Sequence, residues 1–174
     1  KTKQAADELG TLLTVEGSVV TSQEVIATLN GSSVAVKNLF FNIPARRNFL
    51  KSDSVELRHI IDEFHRVVLA HPSINFSMYH NGSDLFNLSK GSFRQRIVNT
   101  FGGKTNEKLV PVDETTEVLA ISGFVGKPEY SKKSRGEQFF FVNNRYIKSP
   151  YLNHSISSAF EGLLQPGRHP SYFL

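Results

Sequence analysis

Residues 38–51, "NLFFNIPARRNFLK", limit what this chain can fold into more than any other stretch. The segment opens with strand-like apolar residues, breaks at Ile43-Pro44, sets Arg46 beside Arg47 and returns to Phe49-Leu50. Proline has a fixed φ and no N–H, so no interior strand runs through it, and a helix admits it only in its first turn. Asn42, just upstream, can accept a backbone N–H two or three residues on and start such a turn. The chain is thereby divided into a part before this stretch and a part after it.

The two parts have different patterns. Residues 10–41 are dense in β-branched residues, and Gly17 and Asn30-Gly31 mark turns, which predicts short strands. Residues 53–70 predict a helix, with Asp53 as cap and Glu56 three residues on. Its apolar stripe is Leu57, Ile60, Ile61, Phe64 and Val68. Residues 74–89 predict a hairpin turning at Asn81-Gly82, a pair suited to positive φ at both central positions. Residues 92–102 predict a short helix closed by Gly102. Residues 118–126 and 137–147 are apolar on both faces, as central strands are, and flank a basic loop. Ser149 and Pro150 predict the start of a third helix with a stripe of Leu152, Ile156, Ala159, Phe160 and Leu163. Residues 171–174 predict a further strand. From residue 52 the order is α-β-β-α-β-β-β-α-β, an α+β domain with helices packed on a four- or five-stranded sheet.

Chemistry of several kinds is excluded or unsupported. The sequence has 174 residues with no cysteine, so disulfides and thiolate metal sites are ruled out; the lack fits a reducing cytosol. No apolar run approaches the roughly 20 residues that span a bilayer. His59, His65 and His71 are spaced by six, which puts neighbours about 240° apart around a helix. They cannot converge on a metal from one helix, and solvated helix positions are expected for them. No nucleophile elbow or phosphate-binding P-loop occurs. Asp113, Glu114 and Glu117 are close acids in a turn, more often plain surface than a catalytic pair. No catalytic residue and no metal ligand is assigned. The net charge of +4 is mild. The clustering of cations is more informative: Arg46-Arg47-Lys51, Arg94-Arg96, Lys132-Lys133-Arg135 and Arg145-Lys148.

Three motifs together resemble one family. Leu39 to Leu50 resembles the "LFxNxPARxKFL" signature of the MutL family of DNA mismatch repair proteins, with Asn48 where lysine is usual. "NGSSVAV" at 30–36 resembles the family's G-T-x-V-x-V strand, with Ser32 in the threonine place. "FFFVNNRYIKSPYLNHSI" at 139–156 resembles its F-V-N-G-R strand and following helix, with Asn144 in the glycine place. The resemblance covers essentially the whole chain. A stand-alone S5-like RNA-binding module and the transducer of a type II DNA topoisomerase are the alternatives. The first has no use for the "PARRNFL" joint, and the second does not carry "LFFNIPAR" followed by "FVNNR".

The resemblance implies a domain plan. Residues 1–37 would be the end of an ATPase domain of the gyrase, Hsp90, histidine-kinase and MutL type. Residues 38–51 would be an inter-domain joint, and residues 52–174 a transducer domain with a ribosomal protein S5 domain 2-like fold. Both ends are expected to be cuts, since the chain begins on Lys1 and finishes on apolar Tyr172-Phe173-Leu174. The family's catalytic glutamate, magnesium-binding asparagine and glycine-rich lid would precede residue 1, and its γ-phosphate lysine would follow residue 174. The parent is therefore expected to use ATP and magnesium, and this chain alone is not expected to be an enzyme. The implied role is an ATP-gated matchmaker in the bacterial cytoplasm, not at a membrane. It would act as a homodimer between a MutS-type mismatch sensor and a downstream nuclease or helicase.

Site residues carry over one by one. Asn42, Pro44, Arg46 and Arg47 would form the joint, with Phe40, Phe49 and Leu50 anchored in two adjoining cores. There the arginines either brace the boundary through carboxylates and carbonyls or touch a ligand. Arg145 either contacts DNA phosphates from a basic groove or clamps backbone carbonyls near Asn143. Lys132, Lys133 and Arg135 either border the same groove or are solvated. Ser32 keeps the hydroxyl that lies at the edge of the family's ATP site, or is an ordinary strand serine. DNA contacts of this kind would be to phosphates and blind to sequence.

Overall fold

A computed structural model describes all residues, Lys1–Leu174. The chain forms two compact units, Lys1–Glu56 and Leu57–Leu174. No helix is long and apolar enough to cross a membrane.

The first unit is a four-stranded antiparallel sheet. Its strands are β1 (Thr2–Lys3), β2 (Gly10–Glu16), β3 (Val19–Ile26) and β4 (Gly31–Ser32), in the order β3-β2-β1-β4. Gly17 and Ser18 both take positive φ, as the tight β2–β3 turn requires, and a register shift follows between Thr14 and Val15. The strand expected over 30–36 is cut short. Only Gly31 and Ser32 pair, and Val34 and Val36 are exposed, because no neighbouring strand lies beyond β4. A five-residue helix, α1 (Pro44–Asn48), follows. No apolar side chain of this unit is buried.

Helix α2 (Asp53–Ala70) opens with Glu56 reaching back to accept the Lys51 N–H at 2.8 Å. The capping-box glutamate is thus in place, while Asp53, expected to cap, is the first helical residue. Val68 and Leu69 are buried and Leu57, Ile61 and Phe64 half-buried; Ile60, counted into the stripe from its spacing, is exposed.

The second unit continues with the hairpin β5 (Phe76–His80) and β6 (Ser83–Leu88), turning at Asn81-Gly82 with φ of 49° and 79°. Helix α3 (Phe93–Phe101) is capped by the Ser92 hydroxyl, which accepts the Gln95 N–H, and closed by Gly102 with φ 97°. A 3₁₀ turn (Gly103–Lys108) leads into β7 (Leu109–Thr115) and β8 (Ala120–Gly126). Residues 137–147, expected as one central strand, divide into β9 (Gln138–Phe139), β10 (Phe141–Val142) and β11 (Arg145–Tyr146). The break comes where Asn143 and Asn144 enter left-handed conformations and fold β11 back on β10. Ser149 and Pro150 start α4 (Pro150–Ala159) as expected, with the serine hydroxyl accepting the Leu152 N–H. Of its expected stripe, Leu152, Ile156 and Phe160 are half-buried, whereas Ala159 and Leu163 are exposed.

The last strand, β12 (Tyr172–Phe173), completes an α+β fold by entering the middle of the sheet β7-β8-β12-β9. It runs antiparallel to β8 and parallel to β9. Gly123 on β8 makes this possible: with φ 140°, it has a backbone that L side chains rarely adopt, and a Cβ there would sit 2.1 Å from the Phe173 carbonyl oxygen. The core beneath is Leu69, Ile97, Leu109, Phe139 and Phe173, ringed by further aromatics. Phe173 lies 5.3 Å from Phe101 and stacks on Phe139 at 5.6 Å.

Candidate nucleic-acid interface

Arg145 owes its position to the β10–β11 hairpin. Asn143 and Asn144 supply the two positive φ angles of a tight turn, which asparagine tolerates better than other side chains with a Cβ. Alternation then sends Tyr146 toward the core, where its ring is 6.1 Å from Phe139 and carries the Arg66 guanidinium at 4.6 Å. Arg145, paired across the ladder with Val142, is exposed and lies outside both ion pairs of the chain.

The arginine that clamps carbonyls is Arg96 instead. It is 1% exposed, and its guanidinium donates to the carbonyls of Pro72, Leu88 and Ile74 while lying 5.3 Å from the Phe76 ring centre. Burial pushes its pKa below the usual arginine value, and its Nε has no partner. The sequence groups it with Arg94 as one of the cation clusters. The signal that could have separated them is its place on the buried face of α3, beside Ile97 and one turn before Thr100. Arg94 by contrast is tied to Asn106 at 2.8 and 2.9 Å.

The basic loop before β9 is divided in use. Lys132 pairs with the Glu137 carboxylate, which also accepts the Ser171 hydroxyl at 2.9 Å. Its backbone is bridged to His169 in both directions. Lys133 and Arg135 are exposed and outside both ion pairs. Arg168 reaches across to donate to the Ser131 carbonyl at 2.9 Å. Two open clefts run along α4, of about 470 and 400 Å³, and Arg135, His154 and Ser157 line both. Lys148 lines the smaller one. Below them Tyr172 donates its hydroxyl to Asn153 at 2.5 Å. Burial pushes that phenol up to about 12, with Tyr146 adding to the shift and Arg135 opposing it.

In the joint segment Pro44 is the first helical residue, as its chemistry demands. Asn42 does not cap: the cap position is Ile43, and no side chain serves it. Arg46 lies 6.0 Å over the Phe40 ring, and neither Arg46 nor Arg47 is in an ion pair. Phe40 takes φ 65°, a strained conformation for an aromatic residue. Phe49 is 77% exposed and Leu50 also exposed, so the expected anchoring in two cores is not what this chain shows; no apolar core exists in the first unit to receive them. Ser32 shares its hydroxyl with that of Thr2 at 2.8 Å.

His65 was missed altogether, having been expected in solvent. It is half-buried between the rings of Phe86 and Phe101, at 5.4 and 5.1 Å, with Nε2 sealed and unpaired. Burial pulls its pKa below the ordinary value, partly offset by Asp62. No three His, Asp or Glu side chains converge as a metal site would require.

The comparisons with known proteins agree with these motifs. The family model "DNA mismatch repair protein, C-terminal domain" matches residues 97–174. The chain is 68% identical over its full 174 residues to the DNA mismatch repair protein MutL of Christiangramia forsetii, and 48% identical to that of Phocaeicola vulgatus. It spans 28% of the length of each. Among solved structures, the Aquifex aeolicus MutL ATPase domain complexed with ADP is similar over 90% of this chain and 60% of that one, with a TM-score of 0.73 at 23% identity. An N-terminal domain of a DNA repair protein covers 99% of this chain and 57% of its own, with a TM-score of 0.78 at 19% identity. The fold is thus shared with MutL ATPase-region structures, and by sequence along its whole length the chain belongs to the MutL family of DNA mismatch repair proteins.

Proposed function

We propose that this chain is the part of a mismatch-repair matchmaker that links an ATPase domain to DNA. Residues 1–37 are read as the end of the ATPase domain, 38–51 as the joint and 52–174 as the transducer. The whole protein would hydrolyse ATP with magnesium, act as a homodimer, and connect a MutS-type sensor to a nuclease or helicase. Ser32, whose hydroxyl lies 2.8 Å from that of Thr2, is read as the edge of a nucleotide site. ATP chemistry is assigned in this reading to the rest of the whole protein, since the chain spans 28% of the length of its MutL relative.

The observation that carries the DNA reading is Arg145, an exposed cation at a left-handed asparagine turn, unpaired and free of the carbonyl-clamping role that Arg96 fills. A phosphate contact from such a residue adds affinity without sequence preference. Fluorescence anisotropy of a labelled duplex across several salt concentrations tests it. Weak binding is expected, with Kd on the order of 10⁻⁴–10⁻⁶ M at physiological salt, alike for matched and mismatched duplexes. Arg145→Glu should weaken binding to both and flatten the salt slope. Equal binding by wild type and Arg145→Glu, with circular dichroism unchanged, would overturn the assignment.

A further inference from the structure

We infer that the smaller cleft at the start of α4 is a seat for a nucleic-acid phosphodiester, held by Arg135 and Lys148, and that Lys132 takes no part in it. The inference rests on the DNA reading above and adds contacts to it. The cleft of about 400 Å³ is lined by three basic residues, Arg135, Lys148 and His154, and by no carboxylate. Its neutral polar groups are already engaged: Gln138 donates to the Pro170 carbonyl at 3.1 Å, Asn153 accepts from Tyr172, and Ser157 donates to the Asn153 carbonyl at 2.8 Å. Arg135 and Lys148 are in neither ion pair. Two cations facing one cleft repel each other unless an anion lies between them. The first turn of α4, capped by Ser149, adds the positive end of a helix dipole at the same place.

The form of the cleft selects the kind of anion. No Phe, Tyr or Trp side chain lines it and His154 is its one ring, so charge dominates the lining and the contact is to backbone. Through Arg135, His154 and Ser157 it continues into the larger cleft, where Glu161 and Arg168 stand. A trough of this kind follows a chain and does not enclose a free ion, and Glu161 restricts the phosphate to the Lys148 end. Lys132, by contrast, already has Glu137, and its ammonium has no need of a second partner.

The test uses residues 1–174 and a labelled duplex, with Arg135→Gln, Lys148→Gln and their double variant beside Lys132→Gln. Each of the first two should flatten the log–log salt slope by about 0.9, and the double variant by about twice that. Lys132→Gln should leave the slope unchanged even if it lowers the melting temperature, because its charge is spent inside the fold. Competition with polyglutamate and with inorganic phosphate separates the sources of anion: duplex DNA should displace the probe at far lower charge concentration than either. Unchanged slopes for Arg135→Gln and Lys148→Gln, while Arg145→Glu still flattens it, would overturn this inference and leave the DNA reading standing. Loss of the Arg145 effect as well would overturn both. Equal competition by polyglutamate would assign the cleft to an acidic protein segment and overturn the inference.

Discussion

The two units hold together by different means. Leu57–Leu174 is organised around rings: Phe139, Phe173 and Phe101 contact one another beneath a four-stranded sheet, and Tyr172 and Phe173 are fully buried. Lys1–Glu56 has a well-registered ladder of strands, yet leaves Leu13, Val15, Val20 and Val25 exposed. Backbone ladders pair the strands in both, but each hydrogen bond contributes only about 1 kcal/mol net in water. Burial is the main favourable term, and only the second unit has it in quantity. The difference teaches that a registered ladder of strands is not by itself a core: the same residue type is buried in one unit and exposed in the other, within a chain that spans 28% of its relatives' length.

Four changes would break or sharpen that comparison. Gly123→Ala should have the largest effect, about 4–5 kcal/mol, because the new Cβ meets the Phe173 backbone and the φ of 140° is unfavourable to any side chain with a Cβ. A denaturation midpoint close to wild type would show that β8 and β12 can separate without consequence. Next, Phe173→Ala should cost roughly 3–5 kcal/mol, since the ring is fully buried. Phe49→Ala, at a residue 77% exposed, should stay within about 0.5 kcal/mol. Equal losses for the two phenylalanines would erase the contrast between the units. The smallest effect is a pH dependence confined to the second unit. His65 is held below its ordinary pKa of 6.5 by burial, so the unfolded chain binds its proton first as pH falls. Stability should therefore be full above 6.5 and decline below it, until the folded-state value is passed. Melting curves between pH 7.5 and pH 5 check this, and His65→Phe should remove that part of the slope. An equal slope in wild type and His65→Phe would mean that the ring is solvated after all.

What was legible in the sequence was local. Gly102, Asn81-Gly82, and Ser149 with Pro150 announce their turns and caps because the chemistry lies within a few residues. The MutL-type motifs were legible for the same reason, each being a short contiguous string. What stayed hidden depended on the element packed opposite. Ile60 and Leu163 satisfy helical spacing yet face solvent, while Arg96 and His65 look like surface residues yet are wholly or partly buried. The apolar run 137–147 hid its turn because Asn143-Asn144 interrupts no hydrophobic pattern until the chain reverses. Among the cations, charge alone could not tell Lys132, neutralised by Glu137, from Arg135, which is not.

The placement of β12 bears on how the second unit is made. β12 separates β8 from β9, yet comes after both in the chain, with α4 in between. During synthesis the β7–β8 hairpin and β9 therefore emerge with a gap that nothing yet fills. Loop closure over such a distance is slow compared with hairpin formation, so the sheet is assembled late and from non-local pairs. Until Tyr172 and Phe173 arrive, the rings of Phe101 and Phe139 lack their partner, and the open edge of β8 is exposed to other chains. A nascent chain halted before Ser171 would be a sheet without its middle.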